Sequence, residues 1–427
     1  MKPLPPCAVG DVGSVHAAAP VRAAAPVHAA WRVRGLGPGL TLALVPLFTG
    51  CDAEAPSAAG PVPADTLYPA AWIGVVDGLP ELMFAEITSV AADAGGRVFV
   101  GDRVGATIRM YDPWGDFLGE LARAGDGPGE IAGWPADLVT DPEGRLVVRD
   151  ANRVTWIDPD AERLARVRAT WSLPGYGNLA HDRSRVTAGG RYLYPSVTMR
   201  VGDPAPRHFY LPFELGTGSS AGDTIQVPAL PGLTRTAWYR TGPAGGRLLP
   251  GLDRVPFAPA PSWDVTADGI VVSSDGTDAP LLLTGVRGDT VGRITLPGGG
   301  PRPVPPALLA DSLAALRARL DSVPVPLDQV EGLGEGVAEG RLPEVLPSVL
   351  GLHVAADGVI WVQRWHDDPG TRVYDLVELD GTHLRRLVLV APLLRDPPPW
   401  FGHGQVVGVV RDPVTGVERV VRFDVGN

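Results

Sequence analysis

A turn-and-strand signature recurs along this chain and constrains its fold more than any other feature. Asp93-Ala-Gly-Gly96-Arg97-Val-Phe-Val100-Gly-Asp102 and Asp141-Pro-Glu-Gly144-Arg145-Leu-Val-Val148-Arg-Asp150 align without a gap. Weaker copies stand at Ala188-Gly-Gly190-Arg191, Asp268-Gly269-Ile-Val-Val272, Asp357-Gly358-Val-Ile-Trp-Val362 and Gly404-Gln-Val-Val-Gly-Val-Val410. Successive glycines of the set are 48, 46, 79, 89 and 46 residues apart, so the period is near 47 and two units carry insertions. Self-similarity at such a period means stacked or radial copies of one small unit.

Each unit reads as four antiparallel strands. In the first, Ile87 to Ala92 is apolar, Asp93 to Gly96 turns, and Val98 to Val100 returns. Ile108 to Tyr111 then alternates in and out, Asp112-Pro-Trp-Gly115 turns, and Phe117 to Leu121 completes the set. Four strands per period is one propeller blade. The expected fold is an all-β six-bladed β-propeller with blades near residues 84–124, 131–172, 178–228, 258–297, 348–390 and 394–427. The sixth unit is short of strands, and Leu67 to Val76 is the expected outer strand that closes the ring and covers its edge. Within the second insertion, Leu309, Leu313, Leu316 and Leu320 recur at helical spacing behind a proline, which predicts an amphipathic helix over Pro306 to Asp321, lying on the ring as a lid. Gly332-Leu-Gly-Glu-Gly336 follows no strand and reads as loop.

Composition narrows the chemistry. The chain is 45% hydrophobic, and its 54 Gly and 45 Pro suit turns between short strands rather than a helical bundle. Lys2 is the only lysine, which excludes Walker A loops, Schiff-base catalysis and Ser-x-x-Lys acyl enzymes from the rest of the chain. A net charge of −11 argues against nucleic acid as a partner.

The N-terminal region reads as an export signal. Arg32 and Arg34 precede an apolar run from Leu36 to Phe48, followed by Thr49, Gly50 and Cys51. The run is shorter than the roughly 20 residues a membrane span needs. Leu47-Phe48-Thr49-Gly50-Cys51 resembles a bacterial lipobox, which implies that Cys51 is diacylated and heads the mature chain. The Ala- and Pro-rich stretch before Arg32 suggests translation starting downstream of Met1, at Val27 or Val33. The organisation is then an export segment 1–50, a flexible tether 51–65 and a propeller 66–427. The other cysteine, Cys7, precedes the cut, so the mature chain has no disulfide and no thiolate zinc site.

The repeat resembles the NHL-like six-bladed propellers found as exported bacterial lipoproteins. The resemblance rests on Asp93 to Asp102, the link Gly125-Asp-Gly-Pro-Gly-Glu130, and Gly358-Val-Ile-Trp361-Val-Gln-Arg364. It implies the fold, an extracytoplasmic location and a membrane partner reached through lipid. It leaves function open, because the fold hosts binding proteins, lyases and lactonases.

Two groups of side chains are candidates for a site. Aligning inner strands on Asp93, Asp141, Asp268 and Asp357 puts Ser89, Asp137, Asp264 and His353 four places before the turn, with Glu86 at the strand mouth. Carboxylates and an imidazole converging on the channel suit a divalent metal, and the resembling lactonases and lyases hold metals there. The alternative role for all five is a solvated channel lining. The second group is Trp365, His366 and Asp367, clustered with Trp361 and Asp368 on the fifth unit, while Trp134, Trp263 and Trp400 sit at blade entries. Tryptophan beside carboxylates suits a carbohydrate, peptide or protein ligand, and otherwise tryptophans fill the core between blades. Gly218-Ser-Ser220-Ala-Gly222 lacks a following helix and reads as a turn, while Arg97, Arg145 and Arg191 read as solvated strand starts. The functional expectation is a monomeric, lipid-anchored binding or interaction module without a resident cofactor. The enzyme alternative is a metal-assisted lyase or lactonase acting through Glu86, Asp137, Asp264 and His353.

Overall fold

The computed structural model describes residues 62–426 apart from 128, 151–152, 162–165, 174–182, 199–206, 231–234, 242–246, 255, 299, 322–329 and 332–342. The export segment, Cys51, most of the tether and the Gly332–Gly336 loop lie outside the described residues.

Six small antiparallel sheets form the propeller ring. The first blade runs Ile87–Ala92, Val98–Asp102, Thr107–Tyr111, Phe117–Ala122, and the second Pro135–Thr140, Leu146–Asp150, Arg153–Ile157, Val167–Ser172. The third runs Arg185–Val186, Arg191–Thr198, Arg207–Glu214, Ile225–Gln226, and the fourth Ser262–Val265, Val271–Ser274, Leu281–Thr284, Thr290–Ile294. The fifth comprises Gly351–Val354, Ile360–Arg364, Arg372–Val377 and His383–Leu389. The sixth holds Trp400–Gly402, Gln405–Arg411 and Glu418–Asp424. Second strands such as Val98–Asp102, Leu146–Asp150 and Ile360–Arg364 are buried at every position, because both of their faces meet a neighbouring blade. The outer strand Val167–Ser172 alternates half-buried and exposed, the period-two pattern of an edge.

The recurrent glycine has one geometric reason. Gly96, Gly144, Gly190, Gly269, Gly358 and Gly404 all take positive φ, from +64° to +86°, in the turn between the first and second strands, where a Cβ would be strained. Arg97 and Arg145 correct the expectation of solvated strand starts. Each closes its own turn, with Nε donating to Asp93 Oδ2 at 2.5 Å and to Asp141 Oδ2 at 2.7 Å.

The N-terminal chain covers two blade edges. Ala71–Ile73 pairs antiparallel with Glu418–Asp424, with Ala71 opposite Arg422, as the outer strand of the sixth blade. Ala64–Leu67 runs parallel to His383–Leu389 as a fifth strand on the fifth blade, with Thr66 opposite Val388. The single strand expected over Leu67 to Val76 is therefore two strands, divided near Pro69, which has no amide hydrogen to offer a ladder. The sixth blade is also tied to the first by the Ile87 amide, which donates to Glu418 Oε2 at 2.8 Å.

The helix forms over Pro306–Asp321, with Leu308 and Leu309 half-buried. Sequence reading missed that the two insertions share a sheet: Arg235–Thr241 pairs with Arg247–Arg254 from the first and with Val330–Glu331 from the second. Among the described residues no helix is long and apolar enough to cross a membrane.

Apolar side chains fill the spaces between blades. Trp400 belongs to one core with Phe99, Tyr111 and Leu138, while Trp361, Tyr374, Phe401 and Phe423 belong to another, of the fifth and sixth blades. Trp361 and Trp400 are each 3% exposed, so both are core residues.

Candidate functional site

The hydrogen bonds that close the first turn show where the inner strands align. Asp93, Asp141, Thr187, Thr266 and Ala355 donate their amides to Arg97, Arg145, Arg191, Ile270 and Val359. Asp268 and Asp357 therefore stand two places after the true anchor, and the expected alignment slips by two in the fourth and fifth blades. A slip of two preserves the face of a strand but moves a side chain roughly 7 Å along it. The residues level with Ser89 and Asp137 are Arg183, Ser262 and Gly351, and those level with Asp264 are Arg185 and His353.

This corrects the convergence expected of the channel candidates. Ser89 Oγ donates to the Pro135 carbonyl at 2.9 Å, and Asp137 Oδ2 accepts from the Ser184 amide at 2.7 Å. Ser262 Oγ accepts from the Leu352 amide at 2.8 Å. These short polar side chains stitch each inner strand to the next, supplying partners to backbone groups that a radial sheet cannot satisfy alone. Glu86 stands apart, about half exposed, paired with Arg103 at 3.0 Å. Among the described residues no three His, Cys, Asp or Glu side chains come together as a metal-ligand set.

Asp264 does two jobs. Oδ1 accepts from Arg185 Nε at 3.2 Å and from its own neighbour's amide, Val265, at 2.8 Å. Oδ2 accepts from Arg185 Nη2 and from the Val354 amide at 2.8 Å. One carboxylate thus joins the third, fourth and fifth blades. His353 stacks on Phe401 at 4.7 Å, and burial pushes its imidazole down to about 3, with nearby Arg183, Arg185 and Arg395 acting in the same direction against the pull of Asp264. At neutral pH it is an uncharged ring with one donor and one acceptor.

Around these residues lies a cleft of about 480 Å3. Arg183, Trp263, Asp264, His353, Tyr374 and Arg395 line it, drawn from the third, fourth and fifth blades and the segment leading into the sixth. Trp263 is half-buried and packs on His208 at 4.3 Å. Burial raises the Tyr374 phenol well above its ordinary value, so it remains a neutral donor. Volume and lining fall in the range of small-molecule sites.

The second candidate group sits elsewhere, at a hollow of about 330 Å3 on the fifth blade, beside the strand Ala64–Leu67. Trp365 Nε1 donates to Asp367 Oδ1 at 3.1 Å, and Asp367 is paired with Arg302 at 2.9 Å. His366 Nδ1 meets Thr371 Oγ1 at 2.7 Å. Trp365, His366 and Asp367 are thus brought together, with Arg302 added from the second insertion. Below them Asp375, fully buried, is held by Arg386 at 2.6 and 2.8 Å and by Arg364 at 3.4 Å.

Sequence reading missed the arginines. Arg183 and Arg185 occupy the third blade's positions opposite Asp137 and Asp264, and an alignment anchored on Thr187 finds them. Arg149, fully buried on the second blade, lies 5.9 Å from the Tyr194 ring, and none of its guanidinium nitrogens has a hydrogen-bond partner.

No protein-family model matches this chain, and no curated protein matches it in sequence. Solved structures do resemble it. A Bacteroides fragilis protein described as exported is 10% identical, with 85% of this chain and 99% of that chain covered at a TM-score of 0.43. Virginiamycin B lyase from Staphylococcus aureus is 10% identical over 79% of this chain and 94% of that chain, at a TM-score of 0.34. The PQQ-bound aldose sugar dehydrogenase from Streptomyces coelicolor is 14% identical over 87% and 99%, at a TM-score of 0.37. The class of this protein, a six-bladed β-propeller, follows from its own sheets.

Proposed function

We propose that this chain is an exported, lipid-anchored propeller that binds a small ligand in the cleft at Arg183, Trp263 and His353. One observation carries the reading: a cleft of about 480 Å3 opens among the third, fourth and fifth blades, while Asp264 on its wall is committed to holding the ring together. A site that combines aromatic and apolar walls with a few convergent polar groups is a site for a ligand. The lyase or lactonase alternative needs Glu86, Asp137, Asp264 and His353 as one ligand set, and their dispersal does not support it. The signal-like run and the lipobox-like Cys51 support export and anchoring.

A thermal-shift screen of small molecules tests the binding role. Compounds that raise the melting temperature of the natural protein should lose most of that effect in Trp263→Ala. If stabilising compounds act equally on both proteins, or none is found, the cleft is not the site.

A further inference from the structure

We infer that the cleft, on the reading that it is the ring's ligand site, is built for a small organic anion: a carboxylate on a flat apolar body, seated on Arg183 beside Trp263. The argument is one of unmatched charge. Three arginines, Arg183, Arg372 and Arg395, and two carboxylates, Asp264 and Asp396, line the cleft. Asp264 is saturated, since Arg185 and two backbone amides take both of its oxygens. It has no hydrogen bond left for Arg183, on which it and Asp137 act only through space.

Arg183 donates through Nη2 to the Pro398 carbonyl, and its buried Nε has no partner. Arg372 gives its hydrogens to the carbonyls of Leu393, Pro369 and Thr371. Neither arginine forms an ion pair among the described residues, so two positive charges in one cleft have only neutral carbonyls as hydrogen-bond partners. Carbonyls orient a guanidinium but leave its charge uncompensated, and in a partly water-excluded site that charge favours an anion strongly. Burial draws Arg183 down to about 10, which still leaves it cationic at neutral pH. His353 is neutral there and adds no competing charge. The contrast with the rest of the molecule is sharp, since the whole chain carries −11. A cationic cleft in an acidic protein selects its anion locally rather than collecting polyanions over its surface.

The apolar half of the ligand follows from the remaining walls. Leu350, Leu352, Leu394 and the half-buried ring of Trp263 offer a face for a flat apolar group.

The test uses two compounds of one shape, naphthalene-2-carboxylate and its neutral isostere naphthalene-2-carboxamide, in equilibrium dialysis against the full chain. The carboxylate should bind the natural protein at least about tenfold more tightly, the worth of one good charge-assisted contact. Arg183→Gln should abolish that preference and Arg183→Lys retain part of it, while Trp263→Ala should weaken both compounds and keep the preference. Circular dichroism confirms that each variant is folded, and the two-compound comparison on the natural protein needs no variant. Equal binding of the two compounds, sensitive to Trp263→Ala, overturns the anion inference and leaves the cleft as a ligand site. Binding of the carboxylate that survives both Arg183→Gln and Trp263→Ala overturns the inference and the cleft reading together.

Discussion

Arg185 grips Asp264 across the third and fourth blades, and that pairing leaves Arg183, two residues earlier, to the carbonyl of Pro398. The same contact therefore holds the ring together and sets the charge of the cleft. Removing one partner of an ion pair this enclosed typically costs about 3–5 kcal/mol. Asp264→Asn should accordingly lower the unfolding free energy by about that much in urea titration. A loss within the error of a surface substitution would show that the carboxylate does not join the blades.

Arg149 makes the opposite prediction. Its guanidinium is buried with no hydrogen-bond partner, and an uncompensated buried charge destabilises a fold. Arg149→Met keeps the length and removes the charge, so it should raise stability by about 1–4 kcal/mol. A marked loss in denaturant titration would mean that the guanidinium is satisfied in solution.

His353 gives stability a pH dependence of known sign. Its folded value is pushed to about 3, below the ordinary 6.5, so the unfolded chain binds the proton more readily between those values. Stability from this group is complete above about 6.5 and falls as pH drops, by on the order of 2 kcal/mol near pH 5. Comparing the natural protein with His353→Gln at pH 7.5 and pH 5 isolates this contribution from that of the carboxylates. The variant should lose less stability on acidification; equal losses would place the imidazole in water.

The N-terminal strands are predicted to be structural. Ile73 is 1% exposed and packs in the same core as Phe84 and Val409, so deletion of residues 62–73 strips two blade edges and a core side chain. The truncated ring should melt at least about 10 °C lower, given the several kcal/mol that such burial contributes. An unchanged melting temperature would mean that the ring does not depend on them.

Lipid anchoring is tested directly at Cys51. Bacterial cells fed labelled palmitate should label the natural protein and not Cys51→Ser, and the variant should leave the membrane fraction.

The blades were legible because their information is local. A glycine with positive φ every 47 or so residues, between an apolar run and a strand, needs no knowledge of the neighbours, and the helix at Pro306–Asp321 was readable for the same reason. The candidate site was legible only in part. Trp365, His366 and Asp367 adjoin in sequence and meet in space, with a partner, Arg302, that spacing could not reveal. The channel set was misaligned because Asp268 and Asp357 mimic the turn aspartates Asp93 and Asp141, while the residues that close those turns are Thr266 and Ala355.

By itself the sequence determined the number of blades, the turns between their strands and the candidate lipid attachment point. These depend on backbone propensity, hydrophobic period and short motifs, which act within a few residues. Only the tertiary structure decided that Asp137 and Asp264 rivet blades, that Arg183 faces the cleft with no carboxylate of its own, and that the chain from Ala64 to Ile73 divides between two sheets. The physical reason is that charge compensation is settled by proximity in space, between side chains 79 positions apart in the Arg185–Asp264 pair, and no local pattern carries that distance.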